Sequence, residues 1–160
     1  MKTKEYFANY FKNIYQNLES IDSSQLEQAS SMAWKTHQSS KKIIIAGNGG
    51  SAAMASHVTV DFTKAAGIRA VNFNEADLIT CFANDYGYEH WVEQALEAYA
   101  DKGDLAILIS SSGKSQNILS AAEKAKEMGL SVITISGFLT DNPLRKLGDL
   151  NLWVDSTEYN

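Results

Sequence analysis

The sequence predicts an α/β fold: a doubly wound, flavodoxin-like sheet of five parallel strands flanked by helices, preceded by an N-terminal helical pair. Three observations predict it. From Lys42 onward, short β-branched runs alternate with helical periods, which implies parallel strands joined by right-handed crossovers. The first run, KIIIAG at 42–47, is apolar throughout and closed by glycine, as a strand buried on both faces reads. Finally, Gly-rich and Ser-rich turns follow two of these runs, and ligands of such sheets sit beyond the strand carboxyl ends.

The elements follow in order. Phe7, Tyr10, Phe11, Ile14 and Leu18 recur at helical spacing. Ser23 or Ser24 is placed to cap a second helix running to about Ser39. After the strand at 42–47 comes a glycine loop and a helix from Ser51 to about Ala66. Arg69–Phe73 reads as a second strand. Glu75–Ala83 and Glu89–Tyr99 read as helices broken at Asn84-Asp85-Tyr86-Gly87. Asp104–Ser110 (DLAILIS) is the clearest strand, and Ser115–Met128 is a helix ended by Gly129. Ser131–Ser136 is another strand. Pro143 opens a further helix, at the position where its missing N–H costs nothing. Leu150–Val154 is the fifth strand. No tandem repeat, low-complexity tract or linker divides the chain, so residues 1–160 read as one domain, with helices over 1–40 and an α/β core over 41–155.

Composition excludes several classes. A net charge of −5 over 160 residues argues against a nucleic-acid partner, which calls for a basic surface. No apolar run approaches the ~18 residues of a membrane span, and the N-terminus lacks a signal-peptide core. Cys81 is the one cysteine, so no internal disulfide forms, and a cytoplasmic location is expected. An anionic small ligand stays open, because backbone N–H groups and hydroxyls hold phosphate without a basic surface.

Two loops carry the chemistry. Gly47-Asn48-Gly49-Gly50-Ser51 follows the first strand, where glycines permit a tight turn and close approach to a ligand, and Ser51 opens a helix whose free N–H groups attract an anion. The string also fits the loose G-x-G-x-x-A dinucleotide fingerprint. However, the next strand ends at Asn72 and Asn74 rather than at an acid, and no GK[ST] is present, so no nucleotide cofactor is expected. As an alternative, the loop is only a tight turn with a serine cap. The second loop, Ser110-Ser111-Ser112-Gly113-Lys114-Ser115, sets four serines around a glycine at a helix start. That is more than capping needs, and it suits phosphate.

GNGGSAA followed by a histidine, then ANDYG, then SSSGKS, resembles the sugar isomerase (SIS) domain family, and within it the phosphoheptose isomerase branch. The resemblance covers nearly the whole chain. It implies that Ser110, Ser111, Ser112 and Ser115 hold a sugar phosphate, that Asn48, Gly49, Gly50 and Ser51 line the sugar, and that Asp85 joins the pocket. The activity it implies is an aldose–ketose isomerisation through an enediol, converting sedoheptulose 7-phosphate to D-glycero-D-manno-heptose 7-phosphate or acting on a close relative. Such enzymes feed cell-envelope heptose synthesis. The catalytic pair it implies is His57 and Asp61, four apart on one helix face; the family carries glutamate where this chain has Asp61. Some relatives bind zinc at these two positions together with residues of a later helix. That helix, with a second catalytic histidine and a glutamine, begins where this sequence reads Val154–Asn160, and neither His37 nor His90 maps onto the second histidine. The resemblance also implies a homotetramer assembled through the N-terminal helices. The alternative function is a non-catalytic SIS module that binds sugar phosphate or docks a regulatory partner.

Overall fold

The computed structural model describes residues 3–157; Met1, Lys2, Glu158, Tyr159 and Asn160, which the expected domain and C-terminal tail include, lie outside the described residues. Five parallel strands form the sheet: β1 (Ile43–Gly47), β2 (Ala70–Asn72), β3 (Leu105–Ser110), β4 (Ser131–Ser136) and β5 (Leu150–Trp153), in the order β2-β1-β3-β4-β5. The expected five-stranded doubly wound sheet is therefore present. Register runs Ile45↔Ile107 between β1 and β3, and Ile107↔Ile133 between β3 and β4.

Side chains alternate between faces along each strand, and this alternation builds two cores. Ile44, Ala46, Ala106, Leu108 and Val132 point to one face. There they meet α5 (Trp91–Tyr99), α6 (Gln116–Glu127) and, at the margin, α4 (Ala76–Tyr86). Ile43, Ile45, Leu105, Ile107, Ile109 and Ile133 point to the other face, against α2 (Ser23–Gln38) and α3 (Gly50–Val60). Both faces are covered, so the strands read as continuous apolar runs. β1 and β3 diverge in connection here: β1 leads to an edge strand on one side and β3 to the strands on the other. This is the switch point at which open α/β sheets bind ligands.

Several boundaries differ from expectation. The cap of α2 is Asp22, whose carboxylate accepts from Ser24 N–H at 2.9 Å, rather than Ser23 or Ser24; a carboxylate interacts better than a hydroxyl with the helix dipole. The helix expected to reach Ala66 changes character at Asp61: Asp61–Ala65 forms a π turn, with Ala66 N–H donating to Asp61 C=O. The break expected at Asn84–Gly87 falls later, because α4 runs through Tyr86 and stops at Gly87 with φ +88°. α5 starts at Trp91 rather than Glu89. The helix at Pro143 is a four-residue 3-10 turn, Pro143–Lys146. The first helix, α1 (Thr3–Glu19), buries none of its residues, and Phe11, Tyr15 and Leu18 are each more than 60% exposed.

Candidate active site

β1 and β3 end side by side, Gly47 against Ile109, so the loops that leave them meet. Gly47 permits this: a Cβ there would lie 2.6 Å from Ser51 Cβ, so only glycine lets α3 turn back so closely over the strand. Asn48, Ser51, Ile109, Ser110, Ser111, Ser112 and Ser115 line a single cavity of 140 Å³ at this junction. α3 and α6 both begin at its rim, and neither has a side-chain cap. The first N–H groups of two helices, each carrying partial positive charge, thus converge with a set of hydroxyls. No Lys or Arg lines the cavity; Lys114 points outward and its backbone N–H donates to Ser112 Oγ at 3.2 Å.

The serine loop is rigidly built. Ser110 is 4% exposed, and its hydroxyl donates to Ser115 Oγ at 3.0 Å. Gly113 has φ +64°, and its carbonyl accepts from Leu144 N–H. Behind it stands Asn142, 1% exposed, whose amide donates to Ser136 Oγ, Gly137 C=O and Leu139 C=O and whose Oδ1 accepts from Arg145 N–H. Asn142 caps the 3-10 turn and stands against Gly113 of the serine loop at the same time.

The glycine loop is fixed by Asn48. Its amide pairs reciprocally with that of Asn117, both bonds 2.9 Å, and its Oδ1 also accepts from Tyr88 Oη at 3.0 Å. Gly49 and Gly50 face open space, with nothing within 4 Å of where a Cβ would stand, so the loop backbone is accessible. Asn72, at the end of β2, and Asn74 just past it hydrogen-bond within the protein. Asn72 Oδ1 accepts from Asn74 N–H, and Asn74 donates to Ala52 C=O and Ser56 Oγ.

The structure gathers Asn48, Ser51, Ser110, Ser111, Ser112 and Ser115 at one cavity, with Gly49 and Gly50 beside it. It places the other sequence-derived candidates elsewhere. His57 and Asp61 approach each other, Nε2 to Oδ2 at 3.5 Å, but are 81% and 60% exposed. They follow Ser51 by six and ten residues, roughly 9 and 15 Å along the axis at about 1.5 Å per residue. Asp61 sits where α-helix gives way to the π turn, a distortion common at functional sites. Asp85 lies on the exposed last turn of α4, bonded to Asn84 and near Cys81 Sγ. From that segment it is Tyr88, not Asp85, that reaches the glycine loop. Among the described residues no group of three or more His, Cys, Asp or Glu is arranged to hold a metal. One imidazole and one carboxylate fall short of the roughly three protein ligands of a catalytic zinc.

Residue type alone concealed Asn117, Tyr88 and Asn142. The available signal for Asn117 was its position: a polar residue on the apolar face that α6 presents through Ile118, Ala121 and Ala125. A larger cavity of 460 Å³ between α2, α3 and the sheet is lined almost wholly by apolar side chains, including Met54, Val58, Ile107 and Leu152, and lacks groups that orient a sugar.

Among known proteins, the family model of the SIS domain matches residues 5–137. A phosphoheptose isomerase of Helicobacter pylori strain P12 is 34% identical over 97% of this chain and 82% of its own length. One from Campylobacter concisus is 38% identical over 83% of this chain and 73% of its own. The solved phosphoheptose isomerase of Neisseria gonorrhoeae superposes with TM-score 0.83 at 27% identity, covering 96% of this chain and 83% of that one. That of Francisella tularensis, with TM-score 0.88 at 24% identity over 99% and 88% of the two chains, shares the fold. Strand order, the paired loops and a family match over most of its length agree: the chain belongs to the SIS domain family.

Proposed function

We propose that the protein is a sugar-phosphate isomerase of the phosphoheptose type, interconverting sedoheptulose 7-phosphate and the corresponding aldoheptose 7-phosphate. The observation that carries this reading is the convergence of the Ser110–Ser115 loop, Asn48 and Ser51 on one cavity between two uncapped helix N-termini. Such a cavity fits a phosphate monoester, with hydroxyl donors placed to hold its oxygens. Curated relatives bearing the name phosphoheptose isomerase support the chemistry.

In this reading the phosphate anchors the substrate and the sugar extends past Asn48, Gly49 and Gly50 along α3. Asp61 serves as the base that removes the proton from C1 of the ketose and returns it to C2 of the enediol. His57, 3.5 Å from that carboxylate, orients it or shuttles the hydroxyl proton. Asp85, exposed on the last turn of α4 and outside the cavity's lining, is given no role in it. Zinc at His57 and Asp61 would need ligands from outside the described residues, so no step is assigned to it. The exposed aromatic side of α1 serves a homotetramer that brings α1 against other copies and covers the sites, in the cytoplasm and without nucleic acid or nucleotide cofactor.

The wide exposure of His57 and Asp61 favours one second reading, a SIS module that binds sugar phosphate without turnover. Solvent deuterium incorporation at C1 or C2 during incubation with sedoheptulose 7-phosphate separates the two. The enzyme reading expects incorporation by wild type, its collapse in Asp61→Asn with binding kept, and its retention in Asp61→Glu. Binding without any exchange by the wild-type protein would replace the enzyme with the binding module.

A further inference from the structure

We propose that Asn117 and Tyr88 are positioning residues that hold Asn48 in the orientation that meets the sugar of a sugar phosphate. This rests on the sugar-phosphate reading of the cavity. Asn117 is 2% exposed and lies in the first turn of α6, two residues past Ser115 of the serine loop, yet its side chain takes no part in capping that helix. Its amide bonds to Asn48, 69 residues away, through both of its polar atoms: Nδ2 donates to Asn48 Oδ1 and Oδ1 accepts from Asn48 Nδ2, each at 2.9 Å. A buried amide is costly unless bonded, so Asn117 fixes the glycine loop at a set distance from the serine loop. Tyr88 adds a third bond to the same amide, its hydroxyl 3.0 Å from Asn48 Oδ1.

An asparagine amide offers two donors and two acceptor lone pairs. Asn117 and Tyr88 occupy both lone pairs and one donor, which leaves Asn48 a single N–H for a ligand at the cavity wall. Asn48 therefore presents a directed donor and rejects a sugar hydroxyl that needs an acceptor there. Three segments far apart in sequence, the turn after β1, the turn before α5 and the start of α6, are joined by this one side chain at the strand-order switch point. The phosphate itself is held by the serine hydroxyls, none of which bonds to Asn117 or Tyr88.

The experiment is calorimetric titration of the full chain with sedoheptulose 7-phosphate and, in parallel, with inorganic phosphate, for wild type, Tyr88→Phe and Asn117→Ala. Tyr88→Phe removes one hydroxyl from a side chain that is 54% exposed, so its folding is not at issue even if Asn117→Ala is poorly stable. The expected result is a loss of about fivefold or more in sugar-phosphate affinity for Tyr88→Phe, the weight of one hydrogen bond, with inorganic phosphate affinity unchanged. Asn117→Ala should lose more, in the same ratio of ligands. Equal weakening of both ligands in Tyr88→Phe, or no change in either, overturns the assignment. Failure of wild type to bind sedoheptulose 7-phosphate overturns the sugar-phosphate reading beneath it; wild-type binding with unaltered Tyr88→Phe overturns only the role of these residues.

Discussion

Replacing Gly113 with alanine tests whether the serine loop is held by the protein behind it. Gly113 has φ +64°, and a Cβ there would stand 1.9 Å from Asn142 Oδ1 and 2.2 Å from its Cγ. The left-handed backbone costs a non-glycine residue about 1–2 kcal/mol. Relief of the clash requires Asn142 to move, and Asn142 is 1% exposed and carries four hydrogen bonds to Ser136, Gly137, Leu139 and Arg145. Losing two of these at about 1 kcal/mol each brings the total to roughly 3–4 kcal/mol, or about 10 °C in Tm for a domain of this size. Gly67→Ala is the matched control, because Gly67 has φ +67° but nothing within 4 Å; it should lose only the backbone strain, about 3–6 °C. Calorimetric melting of both variants, with inorganic phosphate titrated into each, reads the difference. Gly113→Ala should also bind phosphate more weakly, while Gly67→Ala should not. If the two variants melt within a degree or two of one another, Asn142 is not a rigid buttress and the reasoning fails.

Further predictions follow the same logic. Ser112→Ala with Ser115→Ala should lower the melting temperature by about 3–6 °C, because Ser115 Oγ accepts from the buried Ser110 hydroxyl and Ser112 Oγ from Lys114 N–H, and should weaken sugar-phosphate binding tenfold or more, at about 1–3 kcal/mol per hydrogen bond to a charged group; unchanged affinity by calorimetry would remove the phosphate from this loop. Phe11→Glu places a charge on the 62% exposed aromatic side of α1 and should lower the assembly state in light scattering if α1 meets other copies. Lys42→Met strips the ammonium from Asp104, which is fully buried with Nζ 2.6 Å away. It should cost roughly 3 kcal/mol in urea unfolding, although Asp104 keeps the backbone donors of Lys42 and Asp101. The same ammonium, by hydrogen bond and charge, holds the Asp101 carboxyl below its ordinary 3.8. A depressed carboxylate contributes stability above the unfolded value that is lost as pH falls through the folded one. Wild type should therefore lose stability below pH 3.8 more steeply than Lys42→Met.

The strands and the two loops that line the cavity were legible because each is local. Ile43–Gly47 and Leu105–Ser110 announce themselves by composition, and glycine or serine clusters at a strand end have few other uses. Element ends were less legible: α4 continued through Asn84-Asp85-Tyr86 because those residues tolerate a last helical turn before Gly87. The π turn at Asp61 left no trace, since nothing in DFTKA distinguishes an i+5 bond from an i+4 bond.

The sequence by itself determined the class of sheet, the end of it at which the glycine and serine loops meet, and most of the residues that line the cavity between them. These follow from hydrophobic period and from turn chemistry, which act over a few residues. Only the tertiary structure decided that Asn48 is held by Asn117 and Tyr88, that Asn142 stands behind Gly113, and that Asp85, His57 and Asp61 are exposed and outside the lining of the serine cavity. Each of those depends on which segments are brought together across the sheet. An amide-to-amide bond spanning 69 residues has no local signature, because either asparagine could equally have bonded to water or to its own backbone.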